Sequence, residues 1–547
     1  WNSIKYGPSR FSKDYFLFYN KTITGKEKFI LFKINFSKQI INDEIKNSII
    51  LIAIIIVSSL LLRLYFFPFG IPLTLDSIGY FWYANDISIL GKLPEGYSFG
   101  NNGWPVFLSP FFTILNSNNM ISYMDLQRSI SIIFSVLTVI PVYFLCKRFV
   151  NYKFAIIGAA IFAFEPRLIQ DSLLGLNSSM YIALGTLALV LFFSSNKYAR
   201  YYSFAIIGFA SLIRSEGLFL FFALSIMYFF HYRKNKNEIM KYVILLLIFV
   251  IVITPMAILK TQINGDDGLT SRIIGTTSQI IDDNSTGKVN IFDYLFNGSI
   301  TFVKFLGWDL LPIFIFFVPV GFLLVIKRRK IQELSIVFIL FIMLGPAWFA
   351  YLNNSDTRFL FVLYPLFCVL SLFTIEKFVS RFKKKNLVIG ILFIGILVGS
   401  ISFLEYKKID YEYERDMFEI AGIVSQMTGG INTSTEINKY IKTAEINEKW
   451  PNLPKLNSDN SVPSETKRIS DESFNSIKDF IINSKNKGLT HLVIDENTKN
   501  IELEDIFYDS EKYLFLEKEY DSKDENKKLW VKIFKINFDK LIDSKKN

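Results

Sequence analysis

Residues 201 to 231 read YYSFAIIGFASLIRSEGLFLFFALSIMYFFH, an apolar and aromatic stretch broken once, by Arg214-Ser215-Glu216. A hydrocarbon core about 30 Å thick takes roughly 20 residues of helix per crossing. The two halves therefore read as short crossings or as one broken hairpin, with the polar triplet at the turn. Ionisable groups placed at that level are costly unless they pair or face a water-filled cavity. The stretch implies a polytopic membrane protein in which a turn near one membrane surface carries an arginine and a carboxylate.

The rest of the chain follows the same pattern. It has 547 residues, 51% of them hydrophobic and 16% aromatic, and its mean hydropathy is +0.32. The apolar residues collect in runs, and about eleven crossings are expected, near 48–67, 126–146, 154–168, 178–195, 201–213, 216–231, 241–259, 305–326, 333–352, 358–376 and 386–404. The fold class expected is a polytopic all-α membrane domain followed by a small α/β domain.

The net charge of +11 has a simple origin. Lysines and arginines cluster in alternate short loops: Lys33, Lys38 and Lys46; Lys147, Arg148 and Lys153; Lys197 and Arg200; Arg233 to Lys241; Lys327 to Lys330; Arg381 to Lys385. Such loops stay cytoplasmic, so the N-terminus is expected inside and the residues from about 405 outside. Orientation accounts for the excess charge, and nucleic acid is not needed as a partner. Cys146 and Cys368 lie in apolar runs and support neither a disulfide framework nor a cysteine metal site. His231 and His491 lie far apart, which argues against a histidine zinc site or a histidine-dependent triad. The residues before the first apolar run are basic, and no cleavable signal peptide is expected among them. Catalysis would have to use carboxylates, Arg, Lys or Tyr.

Three regions divide the chain: a basic cytoplasmic segment (1–47), a transmembrane domain (48–404) with long outer loops near 68–125 and 260–304, and an extracytoplasmic domain (405–547). In the last, Pro451, Pro454 and Pro463 mark a linker-like stretch. Ser473 to Asn483 has helical spacing, while Thr490 to Asp495 and Leu529 to Ile536 read as strands. His491 sits in the first of these strands as a structural residue. Sequons at Asn284, Asn297, Asn353 and Asn432 fall on the expected outer side.

Several outer residues could carry chemistry. Asp76, in Leu75-Asp76-Ser77-Ile78-Gly79-Tyr80, is either a helix N-cap or a catalytic base, and the two roles are compatible. Glu165 and Asp171 flank Pro166-Arg167; each is a candidate second acid, and a Glu165–Arg167 pair is the plain alternative. Arg128, Arg214 and Arg358 are expected at one membrane level, where guanidinium groups suit a bidentate hold on phosphate. Pairing with Glu216 and Asp356, or snorkelling to lipid headgroups, is the competing explanation. No Gly-rich nucleotide loop is present, which argues against an ATP-driven pump.

These motifs, in their order and on one face, resemble the GT-C superfamily of membrane glycosyltransferases, in its branch of dolichyl-phosphate-mannose protein mannosyltransferases and aminoarabinose lipid A transferases. The resemblance covers about residues 48–404 and rests on the Asp76 and Tyr80 stretch followed by Ala84 and Gly91. It rests also on Pro166 through Gly175 to Tyr181, on Arg214-Ser215-Glu216-Gly217, and on Asp356-Thr357-Arg358-Phe359 with Tyr364-Pro365. It implies a polyprenyl-phosphate sugar donor, a protein, lipid or glycan acceptor, and inverting transfer on the extracytoplasmic face with Asp76 as base or acceptor-orienting group. Tyr80, Glu216 and Asp356 would support the site. The chain departs from its relatives after Gly175, where Asn177-Ser178-Ser179 replaces a frequent Glu; Asp171 or Glu165 would then serve as second acid. The Trp-Trp-Asp signature of oligosaccharyltransferase catalytic subunits is absent, and the outer domain is similar to appendages of archaeal-type members.

Two other classes compete. A transporter or flippase of lipid-linked sugars would show inverted repeats and midplane half-helices, which the sequence does not display. A noncatalytic scaffold would depend on residues 405–547 rather than on Asp76 and Arg214. A carboxylate site without histidine is compatible with Mg²⁺, Mn²⁺ or no metal.

Overall fold

The computed structural model describes residues 15–18, 30–33, 43–74, 76–97, 101–196, 198–271, 274, 291–352, 356–427, 429–433, 436–450, 467–469, 476–498 and 500–543. Two compact units are distinguished, residues 1–54 and residues 55–547. In the first, β1 (Tyr15–Phe18) pairs antiparallel with β2 (Ile30–Lys33), a hairpin not expected from the basic composition there.

Helix α1 (Asp43–Tyr65) leads into the segment over 68–125. That segment contains two helices, α2 (Asp76–Leu90) and α3 (Gly103–Leu115), of which α3 is apolar and was not expected. Then come α4 (Met120–Leu137) and α5 (Val139–Lys147), one continuous apolar stretch, followed by α6 (Tyr152–Ala163), α7 (Pro166–Leu173) and α8 (Ser178–Phe192). Residues 201–231 fold as the broken pair foreseen: α9 (Ala199–Ile213) and α10 (Glu216–Tyr232) meet at Arg214-Ser215. The turn is tight, because a Cβ on Gly217 would lie 2.6 Å from the Ser211 Cα, and glycine alone fits. After α11 (Lys236–Asn264), α12 (Ile291–Leu310) and α13 (Phe314–Arg328) bend by 104° about Pro312. The straight crossing expected over 305–326 is thus a kinked pair, since proline has no N–H to continue the helix. Helices α14 (Ile331–Tyr351), α15 (Tyr364–Val379, after a 3₁₀ turn over Thr357–Leu363) and α16 (Lys385–Tyr406) complete the apolar part.

Among the described residues six helices are long and apolar enough to cross a membrane, or seven with the bent pair counted as one span. The count of about eleven is not reached on that criterion, because α3, α6, α8, α9 and α10 are apolar but only 10–17 residues long. Interior packing explains the shortfall in part: α6 is buried from Phe154 to Ala163 and needs no lipid-facing length. Arg63 in α1 is 0% exposed and had not been singled out from the sequence. Its guanidinium donates to the Ser172 Oγ (3.2 Å), the Ser135 Oγ (2.8 Å) and the Ala163 carbonyl (3.1 Å), tying α1 to α4, α6 and α7. A buried cation persists only when its donors are matched in this way.

The C-terminal region begins with α17 (Tyr411–Ser425) and forms a five-stranded sheet. Its strands are β3 (Gly430–Thr433), β4 (Lys467–Arg468), β5 (Leu489–Asp495), β6 (Leu516–Asp521) and β7 (Val531–Ile536), in the order β4-β3-β5-β7-β6. β3 runs parallel to both β4 and β5, while β7 is antiparallel to β5 and β6. Helices α18 (Ile441–Lys449), α19 (Ile477–Ser484), α20 (Ile501–Tyr508) and α21 (Phe538–Asp543) accompany it. Both faces of the sheet are packed: Leu492, Ile494 and Phe534 belong to one core, and Val493, Val531 and Ile533 to the other. His491 pairs with Glu519 at 3.2 Å within this sheet. Asn432, expected as a glycosylation acceptor, is 3% exposed and donates to the Ile469 carbonyl at 2.8 Å, so its amide is unavailable. Asn284, Asn353 and the stretch of Pro451, Pro454 and Pro463 lie outside the described residues.

This region is fastened to the segment over 68–125 and to its neighbours. Ile71 enters the core formed by Met417, Ile420 and Ile431. Trp450 sits against Phe81, Trp82 and Tyr123, with ring centroids at 6.1, 6.2 and 5.7 Å. The Tyr411 hydroxyl donates to the Phe66 carbonyl at 2.7 Å.

Candidate active site

A cavity of about 610 Å³ opens between the start of α2, the α9–α10 turn, the end of α14 and the 3₁₀ turn after it. Its lining is polar at Asp76, Tyr80, Asn101, Asn177, Arg214, Ser215, Glu216, Asp356 and Arg358. It is apolar at Pro346, Trp348, Phe349 and Phe359. Such a mixed lining suits a ligand with an anionic head and a hydrocarbon tail.

Local sequence places each polar group. Asp76 opens α2, and Tyr80 follows one turn later on the same face. Asn177 precedes α8 after Gly175, whose φ of +73° a β-carbon would strain. Its amide donates to the Tyr80 hydroxyl (3.1 Å) and to the Ile213 carbonyl (3.0 Å), joining three chain segments. Arg214 leaves the helix with extended backbone (φ −146°, ψ 134°), which turns its side chain back on Glu216. Its Nε and Nη2 lie 3.1 and 2.6 Å from the Glu216 Oε1. Asp356 caps the 3₁₀ turn by accepting from the Arg358 N–H at 2.9 Å, and accepts from the Arg358 Nε at 2.5 Å. The Arg358 Nη2 reaches the Asp76 Oδ2 at 3.3 Å.

Six of the nine residues expected at the site therefore line one cavity: Asp76, Tyr80, Arg214, Glu216, Asp356 and Arg358. The other three do not line it. Arg128, expected to hold phosphate, is 4% exposed and spends its guanidinium on the carbonyls of Ile71 (2.7 Å), Pro72 (3.0 Å) and Leu173 (3.1 Å). Glu165, expected as a possible second acid, is fully buried beside Arg167 (3.8 Å), which also faces Asp309 (3.6 Å). Asp171 lies buried and accepts from the Ser178 hydroxyl. Asn177 and Asn101 were not expected to line the site; neutral amides in turns carry no charge pattern that would have singled them out.

The cavity contains three carboxylates and two guanidinium groups, and each carboxylate is held by an arginine. Among the described residues no three His, Cys, Asp or Glu side chains come together as metal ligands.

The sequence profile of the dolichyl-phosphate-mannose-protein mannosyltransferase family matches residues 106–258, from α3 into α11. No curated protein sequence matches the chain. Among solved structures, the oligosaccharyltransferase of Archaeoglobus fulgidus in complex with Zn and sulfate is similar, with a TM-score of 0.54 at 14% identity, over 81% of this chain and 68% of that one. The same archaeal enzyme, AglB, with an inhibitory peptide and a dolichol-phosphate gives 0.51 at 13% identity, over 82% and 69%. ArnT from Cupriavidus metallidurans, bound to undecaprenyl phosphate, gives 0.51 at 8% identity, over 88% and 97%. At these identities the likeness establishes the fold, which the chain shares with the archaeal oligosaccharyltransferase and with ArnT.

Proposed function

We propose that this chain is a multi-pass membrane glycosyltransferase of the GT-C type that moves a sugar from a polyprenyl-phosphate donor to a protein, lipid or glycan acceptor, with inversion, on the extracytoplasmic face. The mannosyltransferase profile supports the reaction class, and the similar structures bound to dolichol-phosphate and undecaprenyl phosphate support the donor class. The observation that carries the reading is the meeting of Asp76, Arg214 and Arg358 in one cavity that is also lined by Trp348, Phe349 and Phe359.

In this reading the donor phosphate rests on Arg214 and Arg358, already aimed by Glu216 and Asp356, and the hydrocarbon lies along Trp348, Phe349 and Phe359. Asp76 takes the proton of the acceptor hydroxyl as its oxygen bonds to the anomeric carbon and the carbon–phosphate-oxygen bond breaks. The two arginines then stabilise the charge gathering on the leaving phosphate. No step passes through a metal. About eleven crossings, counted from the apolar runs, and a cytoplasmic N-terminus with an outer C-terminal domain over 405–547, inferred from the cation-rich loops, belong to the same proposal.

The test is transfer of radiolabelled sugar from a panel of polyprenyl-phosphate sugars by the purified protein in liposomes, with Asp76→Asn in parallel. Product that disappears in the variant supports the reading. Bound lipid without product from any donor overturns it in favour of lipid transport or scaffolding.

A further inference from the structure

The side chain of Asp76 is 60% exposed, so its position depends on the backbone that presents it. That backbone is pinned from below by Gln127, a fully buried residue of α4. The Gln127 amide donates to the Ser77 carbonyl at 3.0 Å and to the Gly175 carbonyl at 2.9 Å, while its own oxygen has no hydrogen-bond partner among the described residues. One carbonyl belongs to the residue after Asp76; the other lies two residues before Asn177. Both protons of a single amide thus span the gap between the two outer segments that bring a carboxylate and an amide into the cavity. Gly175 is close enough that a Cβ there would lie 3.3 Å from the Gln127 Cγ, so the contact leaves little slack.

We propose that Gln127 is a positioning residue for the transfer reaction, setting the separation of Asp76 from Asn177 by bridging the two segments that carry them. The inference rests on the transferase reading above. Arg128 secures the same two segments further from the site, at Ile71, Pro72 and Leu173. Its loss would remove a buried charge and the donors to three carbonyls at once, whereas replacing Gln127 by a near-isosteric apolar side chain removes two donors and no charge. A misplacement of about 1 Å at a reacting group costs on the order of 10²-fold in rate.

Gln127→Met keeps the volume and removes both donors. In the liposome assay it is expected to lower kcat by about 10- to 100-fold while the KM for the polyprenyl-phosphate sugar and the melting temperature stay near those of the unaltered protein. The decisive measurement is a cycle with Asp76→Asn. A residue acting through Asp76 has nothing left to position in that background, so Gln127→Met adds no further loss; a purely structural residue multiplies the two losses. If Gln127→Met does not fold, Gln127→Asn, with an amide one methylene shorter, takes its place in the cycle. A kcat within threefold of the unaltered protein, or multiplied losses, overturns the positioning role alone. No transfer by the unaltered protein overturns the transferase reading and this role with it.

Discussion

The guanidinium of Arg358 lies 3.3 Å from the carboxylate of Asp76, although 282 positions separate them in the chain. The same guanidinium is held by Asp356 at 2.5 Å. Arg358 is therefore pre-aimed by one acid and shared with the other, so a donor phosphate arriving at Arg358 would loosen its hold on Asp76. Arg358→Lys keeps the charge but loses the fork that serves two partners. Its expected effect is a rise of about tenfold in donor KM, equal to about 1.4 kcal/mol, read from transfer rates over a donor titration.

Arg214 and Glu216 form the second arginine–acid pair. Arg214→Ala should weaken donor binding by about 10- to 100-fold. Glu216→Gln, which keeps a hydrogen-bond acceptor beside the guanidinium, should cost less than tenfold. Equilibrium binding of a polyprenyl phosphate to both variants checks the order.

Asp76→Asn removes the proton acceptor without changing shape. Loss of general-base assistance lowers kcat by about 10² to 10⁴-fold, and donor binding should be nearly unchanged because the amide still faces Arg358. Single-turnover rates at saturating donor separate the two quantities.

Asp86, in α2, accepts from the Tyr97 hydroxyl at 2.8 Å. Burial pushes its carboxyl up to about 6, outweighing the lowering effect of that hydroxyl. The folded protein then holds a proton that the unfolded chain releases near 4, so this group favours the fold below that pH and the benefit fades as pH rises through about 6. Asp86→Asn should raise the melting temperature at pH 7.5 and flatten its dependence between pH 4 and 6, measured by nanoscale fluorimetry in detergent.

The cavity carboxylates are each occupied by an arginine. Transfer should therefore persist after dialysis against EDTA, within about twofold of the untreated protein, or about 0.4 kcal/mol. Loss of activity restored by Mg²⁺ or Mn²⁺ would show that a cation enters the site.

Much of this organisation is legible in the residues themselves. The polar triplet in an apolar run placed Arg214 and Glu216 at a turn, and the late Asp356-Thr357-Arg358 interruption had the same signature. Charge in an apolar setting is visible in one dimension. What that signature does not report is direction. Arg128 carries it as clearly as Arg214 does, yet its guanidinium turns towards backbone carbonyls that only the folded chain brings near. Glu165 likewise pairs inside the bundle with Arg167, next to Asp309 from a distant helix. Asn177 and Gln127 are neutral and common in turns and helices, and their significance lies wholly in what tertiary packing sets beside them. Helix α3 lies within the stretch expected as a long loop near 68–125; its Gly103 start and internal Pro110 disfavour helix, while burial of Trp104, Leu108 and Phe112 stabilises it.

The seat of Trp450 among Phe81, Trp82 and Tyr123 has a consequence for biosynthesis. The helix that begins with Asp76 is made early, but the indole that covers its aromatic face leaves the ribosome only after the last apolar helix. Until then those rings stay uncovered, open to chaperones and proteases. Trp450→Ala, costing about 1–3 kcal/mol for a half-buried indole, should accordingly show up first as a lower yield of full-length protein in cells. A chain stopped before residue 450 should be degraded during maturation even though every helix of its membrane part has been synthesised.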